Sequence, residues 1–202
     1  MAMRLVVVAE SRAAIDRARE LLDCADVEIE EAVGAPGGGQ SRLAQAVEIA
    51  VERSRTIDAA VAAFSGGLVI PALGYNWPEL LAPRGAIDEV PGGELARRLL
   101  RRMRDLEGER RACRWSEAAA VAVSGRLAGA WEANGPPDRI AVEYAPPADA
   151  AAHWTAGLCA VPPEDDLFRA LAPLLRDLIG RLGQPDAGAV THNEAVAFEG
   201  GE

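Results

Sequence analysis

The sequence predicts an α/β fold with two lobes, in which a long mixed β-sheet is flanked by helices and a cleft separates the lobes. Three observations carry this. The chain opens as strand, helix, strand, helix, strand. Two further strands flank Ser124-Gly125 as a hairpin. A long amphipathic segment then closes the patterned part of the chain.

Each element has its own reason. Leu5-Val6-Val7-Val8-Ala9 is a continuous apolar run of strand length, the pattern of a strand buried on both faces of a parallel sheet. Ser11 offers an N-cap, and Ile15, Ala18, Leu21 and Leu22 recur at helical spacing, which predicts a helix over 12–22. Val27, Ile29 and Glu31 alternate as a second strand. Four glycines and a proline make 33–40 a loop. Ser41 caps a helix to about Ser54, with Leu43, Ala46, Val47, Ala50 and Val51 on one face. Residues 58–64 form the third strand. The Gly- and Pro-rich stretch 65–93 reads as loops around a short element, and 94–104 as a helix. Residues 111–123 and 126–132 pair across the hairpin, and 139–144 and 154–161 read as further strands. Pro163, Glu164, Asp165 and Asp166 open a last helix, to about Leu182, with acids at the positive end of its dipole. A single domain therefore spans 1–183. The polar, Gly-rich stretch 184–202 reads as a flexible tail.

Composition removes whole classes of function. All 21 basic residues are arginine. With no lysine there is no Schiff base, no Walker-type phosphate lysine and no lysine general base. The net charge is −10, which opposes nucleic acid and anionic membrane as partners. No apolar run approaches the roughly 18 residues of a membrane span. Three cysteines at irregular spacing (Cys24, Cys113 and Cys159) argue against a disulfide framework or a zinc site and for a reducing cytoplasm. Two histidines, His153 and His192, exclude a multi-histidine metal centre. The 41 alanines supply small apolar side chains suited to close helix–sheet packing.

Short motifs in a fixed order then resemble the inosine triphosphate pyrophosphatase family, which hydrolyses non-canonical purine nucleoside triphosphates. The family's first loop, Thr-Gly-Asn-x-x-Lys, falls on Ala9-Glu10-Ser11-Arg12-Ala13-Ala14. Its Asn-Ala-x-x-Lys-Ala helix falls on Gln45-Ala46-Val47-Glu48-Ile49-Ala50. Its Asp-Asp-Ser-Gly-Leu strand end falls on Phe64-Ser65-Gly66-Gly67-Leu68, followed at the same spacing by Ala72-Leu73-Gly74. Trp77-Pro78 and Ala82-Pro83-Arg84 stand in for its Pro-Gly and Ser-Ala-Arg, and Glu109-Arg110-Arg111-Ala112 for its Asp-Arg-Arg-Ala. The resemblance spans residues 4–182. It implies the family's fold, homodimeric assembly and a cleft facing Glu10, Ser11, Arg12, Gln45, Glu48, Ser65, Gly66, Gly67, Arg84 and Trp154.

The departures are chemical. The loop that holds triphosphate in the family carries Glu10 where a carboxylate repels phosphate, and Ala14 where the ammonium belongs. The two aspartates are Phe64 and Ser65, so the family's general-base position is Ser65, and no carboxylate there serves as base or holds Mg²⁺. The late Phe-Gly-Tyr-Asp-Pro loop falls on Trp154-Thr155-Ala156-Gly157-Leu158, and the Ser-His-Arg base-reading motif is absent. Catalytic residues are thus unassigned, no metal site is expected, and Mg²⁺ enters only if the family chemistry survives. The expectation is a small-molecule or nucleotide-like ligand bound without hydrolysis or with altered hydrolase chemistry. The alternative is a non-catalytic structural subunit, paired with itself or with an active relative. Glu10 at the start of the first helix is an internal stand-in for the missing phosphate, or a solvent-facing residue.

Three other features carry blander readings. Arg97, Arg98, Arg101, Arg102, Arg104, Arg110, Arg111 and Arg114 form a basic cluster, read as a solvated face paired with acids rather than a grip for an acidic partner or phosphate. Gly37-Gly38-Gly39 reads as a plain loop. His153 and Cys159 lie on one strand too far apart for a catalytic pair, a surface histidine and a packed cysteine.

Overall fold

The computed structural model describes residues 3–9, 12–22, 27–33, 41–74, 77–82, 89–148, 153–160 and 164–183. Glu10, Ser11, the loop 34–40, Arg84 and the tail 184–202 lie outside the described residues.

Strand β1 (Met3–Ala9) pairs in parallel with β2 (Val27–Val33) on one side and with β3 (Ala60–Val69) on the other. Strands β4 (Ala112–Val123) and β5 (Arg126–Asn134) form the antiparallel hairpin and complete the order β2-β1-β3-β4-β5. The run Leu5 to Ala9 is buried on both faces, as its unbroken hydrophobicity requires.

Alternate residues of each strand face opposite layers. Helices α1 (Arg12–Leu21) and α4 (Glu164–Leu182) cover Leu5, Val7, Ala9, Ala62, Phe64, Ala119 and Val121 with Ile15, Ala18, Phe168, Leu171 and Leu175. Helix α2 (Arg42–Ser54) covers Val6, Val8, Val61, Ala63, Ala118 and Ala120 with Ala46, Ile49 and Ala50. Alanine on both sides of that second interface lets helix and sheet backbones approach closely. Ser41 caps α2 as the sequence predicts, its hydroxyl accepting from the Ala44 amide at 3.0 Å. The hairpin turn places Ser124 and Gly125 at φ of +50° and +76°, the left-handed pair that a two-residue turn needs. The Gly125 amide donates to Ser54 Oγ at 3.0 Å, tying the turn to the end of α2.

Three expectations are corrected. Residues 65–69 are not loop: β3 runs on to Val69 because neighbouring strands supply ladder partners that outweigh two glycines. The strand expected over 139–144 shrinks to β6 (Asp138–Arg139), which pairs with Ala112 and Cys113. Beyond it the Ile140 and Ala141 carbonyls accept from the Arg111 guanidinium instead of a neighbouring strand, and Val142 is 74% exposed. The strand expected over 154–161 is a 3-10 turn at Trp154–Gly157, capped by His153, whose Nδ1 accepts from the Thr155 amide.

The chain divides into two compact units. Unit 1 comprises Met1–Gly66, Ser116–Asn134 and Glu164–Glu202, and unit 2 comprises Gly67–Trp115 and Gly135–Pro163. Unit 1 holds the helix–sheet layers. Unit 2 holds helix α3 (Gly92–Arg102), which buries Leu95, Ala96 and Leu99, together with β6 and several 3-10 turns. No described helix is long and apolar enough to cross a membrane.

Candidate functional site

In unit 1 the polar residues gather where β3 leaves the parallel ladder. Positions 42 and 45 lie one turn apart at the start of α2 and face the sheet. Ser65 shares its strand face with Val61 and Ala63, which α2 covers. The side-chain oxygen of Gln45 accepts from the Ser65 hydroxyl at 3.0 Å and from Arg42 Nη1 at 3.4 Å. Arg42, Gln45 and Ser65 are all buried, at 7%, 3% and 1% exposure. Glu48 lies a turn further along α2 and is half-buried. In the same unit Ser116 Oγ donates to Glu132 at 2.9 Å, across β4 and β5.

The opposite strand face carries a different arrangement. Glu117, only 3% exposed, shares its face of β4 with Ala119 and Val121. Its carboxylate lies directly over Gly66. A Cβ on residue 66 would come within 1.8 Å of Glu117 Oε2, 2.2 Å of Cδ and 2.4 Å of Oε1. Any other residue there would push the buried Glu117 carboxylate aside. Phe64, two residues earlier, is 2% exposed and stacks on Phe168 of α4 at 5.7 Å between ring centroids. The Arg17 guanidinium lies 5.1 Å from the Phe168 ring centre, in cation–π geometry. Gly67 follows at φ +130°, backbone that other residues rarely adopt.

Unit 2 concentrates aromatics. Trp154 is half-buried; its ring lies 6.3 Å from Trp77 and 5.6 Å from His153, and His153 lies 5.3 Å from Trp115. Thr155 beneath them is fully buried, with its hydroxyl 2.6 Å from His153 Nδ1. Trp77 Nε1 donates to the Leu68 carbonyl at 3.0 Å. The basic cluster is largely the acid-paired face expected. Glu94 takes Arg98 at 3.0 Å, Arg97 at 3.2 Å and Arg101 at 3.4 Å, and hydrogen bonds from Arg98 and then Arg97 hold its carboxyl below the usual carboxylate range. Arg111 is the exception. It is buried and donates to four backbone carbonyls, those of Ile140, Met103, Leu106 and Ala141.

Of the residues the sequence nominates, the structure joins Gln45 to Ser65, with Gly66 next in the strand. Trp154 belongs to unit 2. Arg12 opens α1, and Glu10, Ser11 and Arg84 lie outside the described residues. Sequence reasoning missed Arg42 and Glu117. The signal for Glu117 was a lone carboxylate heading the apolar run Ala118 to Val123; Arg42 directly follows the cap residue and carries no sequence mark.

At the two positions that match the family's aspartates, the Mg²⁺ implied by the resemblance finds no carboxylate. Mg²⁺ takes oxygen ligands, normally one or two carboxylates. Here Phe64 offers a ring packed in the core, and the Ser65 hydroxyl is given to Gln45. No three carboxylate, histidine or cysteine side chains group together among the described residues.

The fold has known counterparts. A nucleoside-triphosphatase / dITP/XTP pyrophosphatase from Mycobacterium abscessus superposes with a TM-score of 0.60 at 20% identity, over 88% of this chain and 97% of that one. A HAM1 protein from Coxiella burnetii gives 0.58 at 14% identity, over 90% and 96%. The Ham1 protein of Staphylococcus aureus gives 0.62 at 12% identity, over 86% and 98%. No family model matches the sequence, and no curated protein matches it. The chain has the α/β fold of these Ham1 and pyrophosphatase structures, as the order of its motifs led one to expect.

Proposed function

We propose that this protein is a divergent relative of the nucleoside triphosphate pyrophosphatases that binds a small-molecule or nucleotide-like ligand without hydrolysing it. One observation carries the reading. The two positions that match the family's aspartates hold a phenylalanine stacked in the core and a serine bonded to Gln45. General-base catalysis needs a group able to take a proton within reach of the attacking water. Neither side chain is such a group: a phenyl ring takes no proton, and the Ser65 hydroxyl donates its own proton to Gln45. The absence of lysine removes the family's phosphate-holding ammonium as well. On this reading the protein works in the cytoplasm, as its cysteine usage suggests, and as a homodimer, as the resemblance implies.

The test is pyrophosphate release from dITP and XTP by the full chain with Mg²⁺, scored against the same mixture without protein. The reading expects equal release in the two. Mg²⁺-dependent turnover above the blank would overturn it. Calorimetry with the same nucleotides then separates ligand binding from a purely structural subunit: heat of binding independent of Mg²⁺ supports the first, and no heat removes the nucleotide-like ligand.

A further inference from the structure

Unit 2 contains a pair of thiols that the proposed function does not use. Cys113 sits near the start of β4, and its backbone register partner is Asp138 of β6. The Asp138 carboxylate accepts from the amide of Ala160, the residue after Cys159. The segment around Cys159 is fixed by three further backbone bonds: Ala141 N–H to the Leu158 carbonyl at 2.7 Å, Leu158 N–H to the Thr155 carbonyl at 2.8 Å and Cys159 N–H to the same carbonyl at 3.0 Å. Asp138 thus clamps both cysteine-bearing segments to one short strand. Both thiols are free and buried, at 3% and 9% exposure. The Cys159 thiol reaches the Thr155 carbonyl at 3.6 Å in the reduced state. No group of three or more histidine, cysteine, aspartate or glutamate side chains suited to a metal is found among the described residues.

We infer that Cys113 and Cys159 are an oxidation site that closes reversibly into an intramolecular disulfide when the protein meets a hydroperoxide. The chemistry balances. The Cys113 thiolate attacks one peroxide oxygen, the O–O bond breaks, and the leaving hydroxide takes a proton to become water. Cys113 is then a sulfenic acid. The Cys159 sulfur attacks the Cys113 sulfur, the S–O bond breaks, the S–S bond forms, and hydroxide leaves with the Cys159 proton as a second water. The two thiols lose two electrons and two protons, and the peroxide accepts them. The thiolate is the reacting form, and the roles are distinct. The Cys159 S–H donates to the Thr155 carbonyl at 3.6 Å, a bond that only its protonated form makes, and Cys113 and burial push that thiol up, so Cys113 is the attacking sulfur and Cys159 the resolving one. The closed bond joins the start of β4 to the segment behind the His153–Trp154 aromatic group, which makes that group's support redox-sensitive. Intracellular disulfides of this kind are commonly transient and redox-sensing.

The experiment uses the full chain carrying Cys24→Ser, treated with hydrogen peroxide, quenched with N-ethylmaleimide and read by intact and peptide mass spectrometry. The expected product has lost two hydrogens, takes no alkylation, yields one peptide pair linking Cys113 to Cys159, and returns to the doubly alkylated form after dithiothreitol. Its thermal midpoint lies above that of the reduced protein by several degrees. In the Cys159→Ser variant the Cys113 sulfur instead gains oxygen or forms a dimer through Cys113. Two thiols that stay separately alkylated, or that each gain oxygen with no linked peptide, would overturn the inference.

Discussion

The two units are built by different physics. In unit 1 stability comes from regular layers: Val and Ala strands on a hydrogen-bonded ladder, sealed by the apolar faces of α1, α2 and α4. Among its buried polar groups, Arg42 and Ser65 both donate to Gln45. Unit 2 has little ladder. Its loops converge on a buried guanidinium, an aromatic group around Trp154 and a surface carboxylate shared by three arginines. The difference teaches that polar chemistry is structural in both units, but in opposite senses. In unit 1 it finishes a core sealed by regular layers, and in unit 2, whose core includes Leu95, Leu99, Met103, Ile140 and Leu158, it holds irregular backbone in place of a ladder.

The largest expected effect breaks unit 2. Arg111→Met removes a charged donor from four backbone carbonyls, of which that of Met103 keeps the Leu106 amide, and should cost about 3–5 kcal/mol in urea unfolding, because the buried carbonyls of Ile140 and Leu106 lose that donor. Hydrogen exchange should show protection lost first around 103–115 and 138–160, with β1 to β3 keeping theirs. Equal loss in both units would erase the distinction drawn between them.

A smaller effect probes unit 1. Gly66→Ala forces a methyl into the Glu117 carboxylate and should cost roughly 2–3 kcal/mol by overpacking. The same change made on a Glu117→Ala chain should cost much less, and the double-mutant cycle reads the coupling directly. Additive costs would mean that residue 66 is strained for another reason.

The smallest effect belongs to Glu94. Its folded carboxyl titrates below its unfolded value, so the pairing with Arg98 and Arg97 stabilises above the ordinary carboxylate range and fades as pH falls through the lowered value. The group is partly exposed and screened, so Glu94→Gln should lower the thermal midpoint slightly at neutral pH and not at all in acid. A deficit that persists in acid would assign Glu94 a role other than charge.

The same contrast explains what the sequence disclosed. Unit 1 follows local rules: the apolar run of β1, the 3.6-residue spacing of α1 and α2, the Ser41 cap and the Ser124-Gly125 turn each act within a few residues. Unit 2 depends on distant partners. Nothing between 139 and 144 marks that Arg111, some 30 residues earlier, takes its carbonyls, and the alternation of Ile140 and Val142 imitates a strand. The site divides likewise. Gln45, Ser65 and Gly66 were reached because they sit at spaced motif positions. Glu117 was not, because its meaning lies in a missing Cβ on the neighbouring strand, and a glycine in the sequence does not say what fills its space.

The central claim is that β3, where it leaves the parallel ladder, offers only positions already committed elsewhere, with Phe64 in the core, Ser65 on Gln45 and Gly66 beneath Glu117, so that it holds no catalytic cation. The most direct measurement is calorimetric titration of the full chain with Mn²⁺, a tighter-binding surrogate for Mg²⁺ at oxygen sites. The account predicts no saturable heat from the wild-type protein. Stoichiometric uptake of one ion, abolished by Glu117→Gln, would contradict it and make Glu117 a metal ligand.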